Sequence, residues 1–301
     1  GLKIVAIAGS FGKTSTKHIL HHLFSESATL LITPESINTE LGISRVILKT
    51  LTGQHRLFFI ELGEFYPGHI RKLAKFIHPD FGILTPIGRQ HLIRFGSLEK
   101  IAETFHDLLA FFSDTKKILV SESYHDFFTE DIQYYGTKKE SPYRIEKTHV
   151  TRAGTECTIA TPVSTFQIFT PLFGEQHAVN LLPAFWLAEH LGIDTQKILK
   201  MVTTLPSIPH RHEPILGANN VLVLDNGYNT NPDSAQESLN LLTSLDASQR
   251  IIVTLGFVEL GSESAPIHKA FGESLAHSVE YAGIIESEAT QAILEGFIHA
   301  G

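Results

Sequence analysis

Short apolar runs alternate along the chain with stretches whose apolar residues recur at helical spacing, and this alternation predicts an α/β protein with a parallel sheet. Residues 4–8, 57–61, 81–85 and 118–121 read as strands, while 14–24 and 98–112 carry the helical period. Residues 143–171 differ. Three β-type runs, 144–150, 156–160 and 165–170, are broken by Ala153-Gly154 and Pro162, which predicts a small antiparallel sheet attached to the first domain. A helix over 178–191 stops at Gly192, and another over 195–205 takes Asp194 as its N-cap. Pro206-Ser207-Ile208-Pro209 then interrupts the pattern, since proline disfavours helix at its own position and just before it. Beyond it, strands at 221–224, 251–255 and 282–285 alternate with helices near 233–245, 266–277 and 288–298. The reading is therefore two domains, 1–207 and 208–301, hinged near residues 206–209. No internal repeat or low-complexity tract is visible.

Composition narrows the function classes. The 301 residues are 43% hydrophobic and 19% charged, enough apolar material for sizeable cores. A formal net charge of -8 argues against a broad basic surface, hence against nucleic acid as partner. Cys157 is the sole cysteine, which excludes an internal disulfide and fits a reducing cytoplasm. No run of apolar residues is long enough for a membrane span, and no signal peptide precedes the first strand. The chain opens directly on that strand and stops where a helix would hand over to another, so missing segments are expected at both ends.

The first strand leads into Gly9-Ser10-Phe11-Gly12-Lys13-Thr14-Ser15, followed by a helix. Gly9 and Gly12 let backbone amides approach a phosphate, Lys13 supplies a cation and Thr14 offers a hydroxyl to Mg²⁺. The usual pattern places a further glycine where this chain has Ile7, so a glycine-rich turn with an incidental lysine is the competing reading. Lys13 is expected to be exposed. Glu61 ends an apolar strand, where ligands of open α/β sheets gather, and suits a hard cation; a solvated acid is the bland alternative. Glu64 fits either description. His91 follows another strand-to-loop transition. His18, His21 and His22 lie on the helix after the loop and do not form a shared metal site.

Taken together, these blocks resemble the Mur ligases, and within them the branch that adds D-alanyl-D-alanine to peptidoglycan precursors. Gly9–Ser15 resembles the family's shortened phosphate loop, which accounts for Ile7. Asn38-Thr39-Glu40-Leu41-Gly42 resembles its asparagine segment, and Glu61-Leu62-Gly63 with Pro67-Gly68 its Glu-Met-Gly…Pro-Gly stretch. Pro79-Asp80, Ile87-Gly88, His91-Leu92 and Phe95-Gly96-Ser97 match its next block. Pro209-His210-Arg211-His212-Glu213 resembles Pro-Gly-Arg-x-Glu at the domain junction. Asp225-Asn226-Gly227-Tyr228-Asn229-Thr230-Asn231-Pro232-Asp233-Ser234 is the strongest match, and Gly256 with Glu259-Leu260-Gly261 ends the series.

The resemblance implies a central P-loop ATPase-type parallel sheet domain with a small antiparallel sub-sheet, then a truncated Rossmann-like C-terminal domain. It implies a ligase that phosphorylates a carboxylate with ATP and condenses the acyl phosphate with an amine. The substrates would be ATP, a carboxylate-bearing cell-wall precursor such as a UDP-muramyl-peptide, and D-alanyl-D-alanine or a similar amine. Catalysis would rest on Lys13, Glu61 and His91. Nucleotide would be held by Gly9, Ser10, Gly12, Lys13, Thr14, Ser15, Asn180, Arg211 and Asp225, with Asp225 on the ribose and facing the loop across a cleft. Thr14, Glu61 and His91 would hold Mg²⁺. Three departures stand out. Phe105 occupies the position of a lysine that many members carbamylate to bridge two metals; Gln176-His177 replaces a His-Asn pair; and an asparagine is lost around Pro86. One Mg²⁺ near Thr14 and Glu61 is expected to be held firmly and a second site to be weak or absent, so that turnover would need a compensating ligand, with Asp107 or Glu103 the nearest acids in sequence. A polyglutamate- or cyanophycin-type ligase and a non-catalytic nucleotide-binding homologue are the alternatives.

Overall fold

A computed structural model describes residues 1–301 except Gln90, Asn229, Thr230, Glu288 and Ala289. The chain begins β1 (Lys3–Ala8), α1 (Lys13–Phe24), β2 (Leu30–Ile32), α2 (Glu40–Thr50), β3 (Leu57–Glu61), α3 (His69–Ile77) and β4 (Phe81–Leu84). It continues α4 (Leu92–Phe95), α5 (Leu98–Leu109), β5 (Ile118–Ser121) and β6 (Gln133–Gly136). Then come β7 (Tyr143–Thr151), β8 (Gly154–Ala160) and β9 (Thr165–Thr170). All nine strands form one sheet, in the order β2-β3-β1-β4-β5-β6-β7-β8-β9. It is parallel from β2 through β7 and antiparallel across β8 and β9. The antiparallel strands predicted from the sequence are thus attached by hydrogen bonding onto the parallel sheet through Tyr135–Tyr143 and Gly136–Arg144.

Strand β1 explains the layering. Its side chains alternate between faces, as the two-residue period requires. Val5 and Ile7 pack with Ile19, Leu23, Trp186 and Ile198, whereas Ala6 and Ala8 pack with Val46, Ile70, Phe105 and Leu108. Both faces are covered, so β1 and β3 are buried almost end to end and read as unbroken apolar runs.

Three more helices follow: α6 (Glu175–Val179), α7 (Leu182–Leu191) and α8 (Thr195–Val202). The single helix expected over 178–191 is therefore two. Pro183 lies in the first turn of α7, where a missing N–H is tolerated, and the break leaves Asn180 at the end of α6. Gly192 closes α7 in the left-handed conformation, and the Asp194 side chain caps α8.

After residues 206–209, β10 (Glu213–Leu216) pairs antiparallel with β11 (Leu222–Asp225). The strand expected at 221–224 therefore lies in an antiparallel pair apart from the parallel sheet of the second α/β alternation. That sheet has two strands, β12 (Ile251–Thr254) and β13 (Tyr281–Ile284), with α9 (Pro232–Ser244), α10 (Ser264–Ala276) and α11 (Gln291–Ala300) beside them. Leu239, Phe257, Phe271, Leu275 and Ile293 form its core. The start of the helix expected over 288–298 lies outside the described residues. Among the described residues, no helix is long and apolar enough to cross a membrane.

Candidate nucleotide site

The turn after β1 is built around Gly9, whose φ is 139°. A Cβ there would come within 2.4 Å of the Thr85 carbonyl oxygen, so only glycine lets the loop pass β4 this closely. Gly12, left-handed at φ 81°, turns the chain into α1 and gives no side-chain cap, which leaves the first-turn amides of a twelve-residue helix open to an anion.

The loop forms one wall of a cavity of about 320 Å³. Ser10, Gly12, Lys13, Thr14 and Ser15 line it, with Ser36 and Asn38 from after β2 and Glu61, Gly63 and Glu64 from the end of β3. His91 follows β4, and Gln176, His177 and Asn180 come from α6. Arg211, His212, Asn226, Tyr228, Asn231, Ser234 and Glu237 close the far side. The two halves also meet directly. Tyr228 Oη donates to Ser36 Oγ at 2.9 Å, the Arg89 amide donates to Asp233 at 2.7 Å, and Glu259 takes Arg94 at 2.9 Å together with His91 Nδ1.

Two buried ion pairs lie side by side. Lys13 Nζ sits 3.1 Å from both Glu64 oxygens and also donates to the carbonyls of Gly9 and Ser10. Lys17 Nζ sits 3.1 Å from Glu61 Oε2 and donates to the Glu35 carbonyl. Thr14 Oγ1 donates to the same Glu61 oxygen at 3.0 Å, and Asn38 reaches the other at 3.3 Å. Burial pushes the Glu64 carboxyl up to about 7, against the pull of Lys13. Burial also lowers the Lys17 ammonium despite Glu61. Ser10 Oγ and Asn180 Oδ1 are buried in this region with no hydrogen-bond partner among the described residues.

The structure thus gathers Ser10, Gly12, Lys13, Thr14, Ser15, Glu61, His91, Asn180 and Arg211 around one cavity. Gly9 lies beneath it, offering its carbonyl to Lys13. Two expectations are corrected. Lys13 is not exposed: its side chain is 11% accessible because Glu64 holds it against the loop. Asp225 does not line the cavity. Its pairing opposite Glu213 puts it beside His210, whose Nδ1 lies 2.7 Å away, and the Gly227 amide holds its other oxygen. Of its motif, Asn229 and Thr230 lie outside the described residues, while Asn226 and Tyr228 take the wall, Tyr228 under the Arg211 guanidinium at 4.6 Å. Sequence reasoning missed Lys17 altogether. Its signal was available, since Lys17 falls one helical turn after Lys13 on the face directed at β3. Phe105 is fully buried, edge-on to Tyr124, and supplies no ligand. Asp107 is engaged by Arg71 at 2.9 Å and Glu103 is exposed, so neither compensates at the cavity.

Histidines buried in the cavity wall and half-buried on α1 set an acid limit. Burial drives His212 down to about 3 and His18 down to about 4, and it lowers His177 as well. Unfolded histidine titrates near 6.5, so below that pH the unfolded chain binds protons that the folded one refuses, and stability falls with pH. Glu64 works in the opposite sense, since its folded form takes a proton between about 7 and the unfolded value near 4.5. With His18 and His212 outnumbering Glu64, stability is expected to drop by roughly 1.4 kcal/mol per pH unit for one net proton between about pH 6 and 4.5. Urea unfolding at stepped pH measures this, and a flat profile would contradict the buried-neutral histidines.

Comparison with known proteins agrees with this geometry. The D-alanyl-D-alanine-adding ligase of Escherichia coli (UDP-N-acetylmuramoyl-tripeptide–D-alanyl-D-alanine ligase) is 28% identical over 281 residues, covering 90% of this chain and 62% of that protein. The Bacillus subtilis enzyme of the same name is 25% identical, covering 90% and 60%. The chain therefore spans about three fifths of the length of these relatives. The crystal structure of MurF from Acinetobacter baumannii superposes with a TM-score of 0.88 at 25% identity, covering 98% of this chain and 66% of that one. MurF from Thermotoga maritima, solved in complex with ADP, shares the fold at a TM-score of 0.88 and 24% identity, covering 97% and 69%. Residues 7–188, more than half of the chain, match the family model described as the Mur ligase middle domain, and the chain accordingly belongs to the Mur ligase family.

Proposed function

We propose that this chain is the nucleotide-binding part of an ATP-dependent amide ligase that extends a peptidoglycan precursor. Its acid would be a UDP-muramyl-peptide and its amine D-alanyl-D-alanine or a close analogue. The observation that carries the reading is the single cavity that joins the glycine loop, Lys13, Thr14 and Glu61 to unpartnered Ser10 and Asn180. Residues 1–207 and 208–301 act as two domains, and the nucleotide lies between them. The need for ATP sets the reaction in the cytoplasm.

In this reading the amides of residues 9–15 cradle the phosphates, and Lys13 neutralises the β,γ-oxygens. Thr14, Glu61 and His91 hold Mg²⁺; the oxygen donors of Thr14 and Glu61, already 3.0 Å apart, suit a hard cation. The ion, when bound, screens phosphate charge. Asn180 and Arg211 contact the nucleotide. A substrate carboxylate oxygen attacks the γ-phosphorus, the bond to the β,γ-bridging oxygen breaks, and ADP leaves an acyl phosphate. The amine then attacks the acyl carbon, loses a proton, and the C–O bond to phosphate breaks as the amide forms. These residues position and neutralise; none becomes covalently attached.

The test uses the full-length protein, UDP-muramyl-tripeptide and D-alanyl-D-alanine. Release of ADP and phosphate is expected only with both co-substrates. Isotope exchange between the bridging and non-bridging oxygens of ATP is expected with the acid alone. Nucleotide binding without ADP release for any acid and amine would replace this reading with a non-catalytic homologue.

A further inference from the structure

Glu64 has no task in the scheme above. It is buried, lines the cavity, and spends both oxygens on Lys13 at 3.1 Å. The charge count around it decides what happens when nucleotide arrives. In the present state Lys13 balances Glu64, and Lys17 balances Glu61. If Lys13 turns to the phosphates, Glu64 loses the one cation that pairs with it among the described residues, while Glu61 still adds a repulsive charge beside it. A buried carboxylate left in this way needs a new positive partner. Lys17 does not serve as that partner, because its ammonium is already divided between Glu61 and the Glu35 carbonyl.

The cavity offers the surroundings for a cation. His91 faces it with Nδ1 committed to Glu259, which leaves Nε2 as a neutral donor. Ser10 Oγ and Asn180 Oδ1, both buried at the same cavity and without a partner among the described residues, mark the place of a polar ligand independently of the acids. Helix α5 sends no acid to the cavity, since Asp107 is held by Arg71 and Glu103 is exposed.

We propose that Glu64 is a ligand of a second divalent cation, which enters with the nucleotide and takes over the counter-charge that Lys13 provides in its absence. This rests on the nucleotide-binding reading. The exchange couples the two events: nucleotide draws Lys13 away, and the cation occupies the carboxylate that Lys13 leaves.

The probe is Mn²⁺ counted by electron paramagnetic resonance in the presence of β,γ-imido-ATP, with nucleotide affinity measured separately in EDTA. The wild-type chain is expected to bind a second Mn²⁺ together with the analogue. Glu64→Gln should keep the first and bind the second at least about tenfold more weakly, the loss seen even when an outer-shell partner of a ligand is removed. Its analogue affinity in EDTA should not fall, because Lys13 remains and is held less tightly. Glu64→Asp, which keeps the carboxylate, should restore part of the second site and decides the matter if the glutamine variant does not fold. A single Mn²⁺ in the nucleotide-bound wild type, or a second Mn²⁺ undiminished in Glu64→Gln, overturns the assignment while the nucleotide site stands. Wild-type protein that binds no analogue overturns both.

Discussion

Lys13→Ala is expected to weaken ATP binding by about 10- to 150-fold, the equivalent of the roughly 1.5–3 kcal/mol contributed by a hydrogen bond to a charged group. Calorimetric titration of folded variant protein measures this, and unchanged affinity would remove the phosphate-loop assignment. The variant also acts on the fold, because Lys13 is packed against Glu64. Without the ammonium, the Glu64 carboxyl rises further from a value already pushed up to about 7 by burial. An acid whose folded pKa is raised loses stability as pH climbs from its unfolded value toward the folded one. The variant should therefore melt close to wild type near about pH 6 and fall behind it near about pH 8.5. Adding Glu64→Gln should abolish that widening gap. Binding and stability thus report on different partners of one lysine, and they separate by pH.

The parts of the molecule that were legible in the sequence share a cause. β1 and β3 are buried on both faces, so they appear as unbroken apolar runs, and Gly9–Ser15 is local, so it reads as a unit. Strand β6 was not legible: its half-buried first two residues, one of them the polar Gln133, give neither alternation nor a run, and its place is set by pairing with β5 and β7. The two ion pairs were not legible either. Lys17 and Glu61 are 44 residues apart, Lys13 and Glu64 are 51 apart, and no spacing rule links them. They meet because parallel pairing of β1 with β3 brings the ends of both strands to one edge. Asp225 failed for a related reason. Its motif was recognisable, but its direction depends on the antiparallel partner β10, which the prolines and histidines of residues 206–213 disguised.

Lys17→Met is expected to be the most damaging single change to stability, costing about 3–5 kcal/mol, the range for removing one partner of a buried ion pair. The Lys17 side chain is 0% accessible and that of Glu61 2%, so water cannot replace the lost ammonium. Methionine keeps the length and apolar volume of the stem, which confines the effect to the charge. For a domain of this size the melting temperature should fall by roughly 10 °C. The decisive comparison is the double variant Lys17→Met with Glu61→Gln. If the loss comes from a stranded carboxylate, removing that charge should return much of the stability, so the double variant should melt above the single one. A double variant that melts no higher than Lys17→Met would mean that packing of α1 against β3, and not the pair, sets the cost. Mg²⁺ with a non-hydrolysable ATP analogue gives a second readout on the same protein. A cation near Thr14 and Glu61 should raise the melting temperature of Lys17→Met more than that of wild type, because it supplies the charge that the lysine no longer does.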